Sequence, residues 1–585
     1  MPEVYLIKKG RKRSRIAAER SQKNQRGKKF ANPETLAAAD SFGKLTGQKR
    51  SAMLVVSRDV SCLQLLSKKM AAAEPTSFTT YNISSICGGC TATRNRLFMQ
   101  QPKNLNRLLR ALSRQGLDVS YSNKVYSISL NSSLKEHWQD DSSTTAEVLL
   151  PEGFPVEAKA LKQLANLANV RHPQGGCVCR ACATPDFHPG DAGVAIGSIV
   201  ETAGMVIPAA VGSDINCGMR LHVADLPIEQ FSAKRDRFVE LLKGDYFFGT
   251  RDVSMTAKTA RAMFQHGIPG WLDGMLDGAT GSAANSDFAQ LAQESDRTFL
   301  GGSMNGDVKW APAELVPNDG LVRDGGLGTI GGGNHFVEIQ AVEEVLDKAT
   351  AYIWGVRSGQ IAFMIHSGSR NVGKYIGGMW RDRARSAWPK TLKYPESGLF
   401  PLSVEANPEL VTSYLQAEAT AANYGFINRL LLSELLRLRL RQVFGDIEAP
   451  LVCDLPHNIT LAEGAGWVTR KGACPAHSGQ PVIVPGSMGA PSYLLVGKGN
   501  DRFLRSASHG AGRARSRFEM SRKGADKSDA ALGLDGVDCI TLRPERTIEE
   551  APAAYKPIQP VIDVQVEAQM VGVVAKMKPV LTFKA

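Results

Sequence analysis

What this sequence lacks narrows it before any motif is read. No run of about 18 apolar residues, the length a membrane-spanning helix needs, occurs in the 585 residues. The charged start is not followed by an apolar stretch and a small-residue cleavage site, so secretion is not expected and the sequence predicts a soluble, cytoplasmic protein. In that compartment the ten cysteines are expected to be thiols or ligands, not disulfides. Acidic residues are nearly missing from the first 50 positions, 4 against 14 lysines and arginines. That stretch therefore carries +10 of the total of +13, and the rest of the chain is close to neutral.

What is present has the balance of a globular enzyme: 43% hydrophobic and 22% charged residues. The length allows more than one domain. Residues 1–45, with Lys8, Lys9, Arg11, Lys12, Arg13 and Arg15, show almost no apolar periodicity and read as a basic, disordered arm. Such an arm suits polyanion binding through charge alone; a solubilising or targeting tail is the other reading. Residues 46–140 read as a small N-terminal region, with a short strand at Met53–Val56, a helix over 104–114 and a strand over 121–130. Residues 141–585 read as the catalytic region, opening with a helix over 156–170.

Two cysteine groups, Cys87 with Cys90 and Cys177 with Cys179 and Cys182, could hold a structural zinc. Their separation of about 85 residues exceeds that of ordinary zinc ribbons, and local thiols in turns are the alternative.

The chemistry is concentrated in short polar clusters. Ser508-His509-Gly510-Ala511-Gly512-Arg513 sets an imidazole among glycines that admit a ligand to the main chain, with arginine forks nearby for phosphate. Upstream, Pro185-Asp186-Phe187-His188 puts an acid and an imidazole two apart, on one face of an extended segment. Asp214-Ile215-Asn216-Cys217-Gly218 offers hard oxygen beside soft sulfur, a pairing for borderline metal ions. In Gly331-Gly332-Gly333-Asn334-His335-Phe336-Val337-Glu338, a glycine turn runs into an alternating strand; Glu338 there needs either a buried donor or an edge position facing water. His366-Ser367-Gly368-Ser369-Arg370 and His457-Asn458 each follow an apolar strand. Between them, 413–445 reads as a long, strongly apolar helix of the core.

Taken in order and with Pro485-Gly486-Ser487-Met488-Gly489, these motifs resemble the RtcB-type RNA ligases over about residues 150–585. The resemblance implies a single large α/β (α+β) catalytic domain of mixed sheets and helices, and a reaction joining RNA 3′-phosphate or 2′,3′-cyclic phosphate ends to 5′-hydroxyl ends, in tRNA splicing or RNA repair. It implies two manganese ions bridged by Cys217, with Asp214 and His335 on one and His366 and His457 on the other. GTP would guanylylate His509. The guanylate pocket would comprise Asn334, His335, Phe336, Val337, Glu338, His457, Asn458, Pro485, Gly486, Ser487, Met488, Ser492, His509, Gly510, Ala511 and Gly512, with Tyr555 lining the base and Lys584 reading the guanine carbonyl. Arg370, Arg513 and Arg517 are candidates for RNA phosphates. The expected partners are RNA, as tRNA halves or broken ends, and an archease-like activator of a monomer. A metal-dependent RNA phosphodiesterase or nuclease would need the metal ligands but neither His509 nor Lys584, and a catalytically silent RNA-binding subunit would need only the arm.

Overall fold

The long apolar stretch of the chain folds as one 37-residue helix, Pro408–Phe444, about 55 Å long at the usual rise. Asn407 caps it by accepting the Leu410 N–H, Pro408 supplies a preset first turn, and Gly445 at φ 93° ends it. From Ala417 to Leu436 nearly every residue is buried, as expected of a helix apolar on all sides and surrounded by the fold. The helices Ile228–Phe247, Ala257–Gly278 and Arg370–Ala387 flank it. The computed structural model describes residues 105–131 and 144–585, which lie within a compact unit spanning Arg94–Ala585. The basic arm, the strand expected at 53–56, and Cys87 and Cys90 lie outside the described residues.

Two large sheets frame the helices. An eight-stranded sheet runs Leu451–Pro456, Gly218–Pro227, Gln360–Ser367, Phe336–Val345, Val571–Lys584, Ser492–Gly497 and Pro481–Val484, with Cys539–Thr541 added in parallel to Val571–Lys584. Both of its faces are covered. Val337, Ile339, Phe363, Ile365 and Phe583 join the core around the long helix, while Phe336, Met364, Leu221 and Met577 form a second core on the other side. This settles Glu338: its strand is interior, paired on both sides, so the edge-strand alternative is excluded. The carboxylate is buried and accepts hydrogen bonds from Thr582 Oγ1 and Gln340 Nε2, each at 2.5 Å. Burial pushes its pKa up to about 7, against the pull of those two bonds.

The seven-stranded sheet runs Leu117–Ser122, Val125–Leu130, Ala146–Leu149, Cys177–His188, Ile196–Ala203, Gly466–Lys471 and Asn458–Glu463. The single strand expected over 121–130 is instead a hairpin. Asn123 and Lys124 both take positive φ, 49° and 63°, the two-residue turn whose twist suits antiparallel strands, and the apolar alternation on either side had masked it. Residues 105–131 thus supply two strands of this sheet, and the helix before them is Leu105–Ser113. The helix expected over 156–170 is Ala158–Ala168. Cys177, Cys179 and Cys182 lie on one strand, Cys179 exposed and Cys182 buried. Among the described residues no group of metal-capable side chains includes them.

Candidate functional site

The sheet register brings four chemical clusters to one rim. His366 sits opposite Phe336 on one neighbouring strand and Met219 on the other, Ser367 is opposite Gly218, and Gly218 is opposite Pro456. The strands alternate in direction, so residues just before 218 and 336 and those at or just beyond 366 and 456 share that edge. Those residues are Asp214, Cys217, His335, His366 and His457. The His457 N–H even donates to the Cys217 carbonyl at 2.8 Å.

Their side chains converge. Cys217 Sγ lies 3.1 Å from His335 Nε2 and 3.2 Å from His366 Nε2, and Asp214 Oδ2 lies 3.0 Å from the same His335 nitrogen. The ligand atoms of Cys217, His335 and His366 all fall within 4.8 Å of one another, and the His457 ring stands 5.1 Å from that of His366. The His335 Nδ1–H donates to the Ile330 carbonyl at 3.1 Å, which fixes the ring with its Nε2 edge turned toward Cys217 and Asp214. Burial, then neighbouring histidines, hold His366 and His457 well below the ordinary histidine range, so both are neutral donors. Burial and the Asp214 carboxylate push the Cys217 thiol up; a thiolate here therefore needs a cation beside it. Among the described residues the buried Nδ1 of His457 has no hydrogen-bond partner. A mixed oxygen, sulfur and nitrogen donor set with an orphaned imidazole nitrogen fits a divalent transition metal.

The floor of this corner was not legible as a site. Arg429, fully buried in the long helix, donates to the Asn216 carbonyl at 2.6 Å and the Ser367 carbonyl at 3.1 Å. Those two carbonyls adjoin Cys217 and His366. Asp454 holds the guanidinium at 2.9 Å and 2.7 Å, the partner that a buried charge requires. Asn428 bonds the Gly368 carbonyl at 3.1 Å. Gly368 is required by space, since a Cβ there would stand 2.8 Å from Asp214 Oδ1 and 2.9 Å from Cys217 Cα. The signal that could have found this floor is the charge and the amides embedded among the helix's leucines.

A second wall carries His509. It follows the short strand Ser506–Ser508, and its Nδ1 lies 2.6 Å from Asp186 Oδ2. A carboxylate only accepts, so Nδ1 carries the proton and Nε2 is left with its lone pair in the neutral ring. The His509 main-chain N–H also reaches Asp186 Oδ2, at 3.2 Å, while Thr184 Oγ1 donates to Oδ1 at 2.6 Å. Burial opposes the Asp186 charge, but His509 and Thr184 win and hold its carboxyl below the usual range. The His509 ring stands 4.7 Å from that of His457, which joins this wall to the metal corner. Gly512, at φ 76°, packs where a Cβ would meet the Asp186 carbonyl at 2.2 Å. Asp186 was visible in the sequence as half of an acid and imidazole pair, but its true partner is His509. His188 instead donates its Nδ1–H to the Asp186 carbonyl at 2.7 Å.

The third wall centres on a residue the sequence did not flag, Glu550, which is 1% exposed. Arg517 Nε bonds it at 2.7 Å, Arg513 Nη1 at 3.2 Å and the Tyr555 hydroxyl more closely, with Lys584 Nζ 4.0 Å away. Lys584 is buried and also donates to the His335 carbonyl at 3.3 Å, which links the chain's last strand to the metal corner. Arg513 further bonds the Arg515 and Glu549 carbonyls, so its fork is occupied by the protein, whereas Arg517 stays partly exposed. Arg370 starts a helix at φ 52° and bonds Thr329 Oγ1 at 3.1 Å. Of the other candidates, Asn458 braces the Asp214 carbonyl through Nδ2 at 3.0 Å and accepts the Gly472 N–H at 2.8 Å. Ser492 Oγ accepts from Gln340 Nε2 and the Gly486 N–H. Ser487 and Met488 are buried in the turn that joins Pro481–Val484 to Ser492–Gly497, and Asn334 is half-buried in the turn before Phe336. Among the described residues no helix is long and apolar enough to cross a membrane.

Known proteins are similar in sequence to this chain over most of its length. Residues 163–585 match the family model described as "tRNA-splicing ligase RtcB". The tRNA-splicing ligase RtcB of Methanococcus maripaludis is 30% identical over 464 residues, covering 73% of this chain and 92% of the relative. The RNA-splicing ligase RtcB of Mycobacterium bovis is 31% identical over 453 residues, covering 71% of this chain and 98% of the relative, and the RNA-splicing ligase RtcB homolog 1 of Entamoeba histolytica is 30% identical, covering 73% and 84%. With its metal-capable cysteine and histidines gathered at one sheet rim and a family match over most of its length, this chain belongs to the RtcB family of RNA ligases.

Proposed function

We propose that this chain seals RNA by joining a 3′-phosphate or 2′,3′-cyclic phosphate end to a 5′-hydroxyl end, with GTP as the activating nucleotide and a guanylate carried on His509. The observation that supports it most is the Asp186–His509 bond of 2.6 Å beside His457, because it leaves one imidazole nitrogen free as a nucleophile next to the metal-ligand corner. Two manganese ions held by Asp214, Cys217, His335, His366 and His457 would neutralise charge at the reacting phosphates and help open a cyclic phosphate.

In this scheme Nε2 of His509 attacks the α-phosphorus of GTP, an N–P bond forms, and the P–O bond to pyrophosphate breaks. Asp186 stabilises the positive imidazole so formed. An oxygen of the RNA 3′-phosphate then displaces the imidazole and takes the guanylate. Finally the 5′-hydroxyl oxygen attacks the 3′-phosphorus, and GMP leaves. Lys584 donates to the guanine carbonyl that adenine lacks, with Tyr555 against the base and Glu338, Asn334 and Phe336 lining the strand side. Arg517 and Arg370 take RNA phosphates; Arg513 acts through Glu550.

The test is transfer of label from α-labelled GTP to the protein in manganese. Wild type should acquire acid-labile guanylate and His509→Ala should not. Cleavage of RNA without GTP and without any adduct would replace this reading by the nuclease, and RNA binding without either reaction would replace it by the silent subunit.

A further inference from the structure

Behind the nucleophile wall lies a buried cation that this scheme does not use. Lys556 is 4% exposed, and among the described residues both of its side-chain hydrogen bonds go to main-chain oxygens, at 3.3 Å to Pro185 and 2.5 Å to Phe187. These are the two carbonyls flanking Asp186. The main-chain N–H of Lys556 donates at 2.9 Å to the carbonyl of Gly512, in the loop that carries His509. The same residue therefore grips both segments whose alignment sets the Asp186–His509 bond. Its ammonium stands over the Phe154 ring, 5.8 Å from the centroid.

A lysine is costly to bury unless its charge is used. Here the ammonium bridges the carbonyls of the residues before and after an ionised carboxylate, which restricts the turn of chain that aims Asp186 and adds positive charge beside it. From this geometry we infer that Lys556 is a positioning residue for guanylylation, holding Asp186 ionised and aligned on His509; the inference rests on the proposed guanylate chemistry. The titratable groups facing Lys556 are Asp186 and His188 on the strand Cys177–His188, and Glu157 before the helix Ala158–Ala168. Burial lowers the lysine to about 8, opposed by Asp186 and Glu157. The ammonium is present below that value and lost as pH rises through it, so guanylylation should fall on the alkaline side.

The experiment compares wild type, Lys556→Met and Lys556→Arg in single-turnover adduct formation with GTP and manganese from pH 6.5 to 9.5. In parallel, the same proteins seal RNA that already carries guanylate on its 3′-phosphate. Lys556→Met should form adduct about 10- to 100-fold more slowly, the scale of loss for a misaligned reacting group. It should seal the pre-activated RNA, and bind manganese, as wild type does. Lys556→Arg keeps its charge at every pH tested and should lose the alkaline fall near 8. The inference is overturned if Lys556→Met forms adduct at the wild-type rate, if it loses both steps equally as a general structural defect would produce, or if the alkaline fall persists in Lys556→Arg. No adduct in wild type would instead sink the guanylate chemistry itself, a distinct outcome.

Discussion

The metal corner and the nucleophile wall stand side by side, yet they are held in different ways. Asp214, Cys217, His335, His366 and His457 hang on the ends of adjacent strands of one sheet, so their spacing follows from register. The nucleophile wall has no such frame. Asp186, His509 and Lys556 come from separate segments joined by side chains and a few loop hydrogen bonds. A substitution on the rim should remove a ligand and leave the scaffold; one on the wall should displace a neighbour.

The sharpest way to break that contrast is Cys217→Ala. This thiol is the atom within reach of both His335 and His366, so the variant should lose manganese binding and sealing altogether while melting near wild type. Cys453→Ala and Cys539→Ala, off the rim, should keep both. Manganese occupancy unchanged in Cys217→Ala would take the thiol out of the site.

On the wall, His509→Ala should form no guanylate adduct yet still bind GTP, and it should seal pre-activated RNA. Failure on that substrate, with metal and RNA still bound, would give His509 a part in the last step as well.

Asp186→Asn tests the wall's dependence on neighbours. It keeps the shape but replaces the carboxylate that holds the His509 tautomer, and adduct formation should slow by up to about 10,000-fold, the loss known for an orienting acid behind a catalytic histidine. Adduct kinetics at wild-type speed would show that the 2.6 Å bond does not govern the nucleophile.

Lys584→Ala should cost less. Loss of a charged donor to a buried carbonyl is worth about 1.5 to 3 kcal/mol, or roughly ten- to hundredfold in affinity, so the variant should need more GTP and discriminate less against ATP, yet form adduct at saturation. Titration of adduct yield against each nucleotide checks this. The smallest effect belongs to a region that is neither rim nor wall. Removing residues 1–45 should weaken RNA binding and flatten its dependence on salt without altering guanylylation; an unchanged slope of log affinity against log salt would show that the arm does not touch RNA.

The rim was the legible part of the site because its residues sit in short runs where an apolar strand gives way to a polar turn, a change visible along the chain at 365–370 and 452–458. Glu338 was half legible. Its need for a donor followed from the cost of burying a carboxylate, but whether the strand was interior depended on Val571–Lys584 pairing with it from the far end of the chain. The hairpin at 117–130 was missed because a two-residue turn of Asn and Lys lacks the glycine that usually marks it.

The sequence by itself determined the long apolar helix and the order of the polar clusters, because periodicity and local turn chemistry are properties of neighbouring residues, and the resemblance those clusters carry supplied the family and the class of fold. Only the tertiary structure decided that Asp186 serves His509, that Glu550 gathers Arg513, Arg517, Tyr555 and Lys584, and that Arg429 with Asp454 ties down the backbone beside two metal-site residues. Apart from Glu550 and Tyr555, five residues apart, each of those charges has its partner tens to hundreds of residues away, and its meaning rests on burial. In water the same side chains would be solvated and interchangeable; enclosed, each must be paired, and the pairing is what shapes the site.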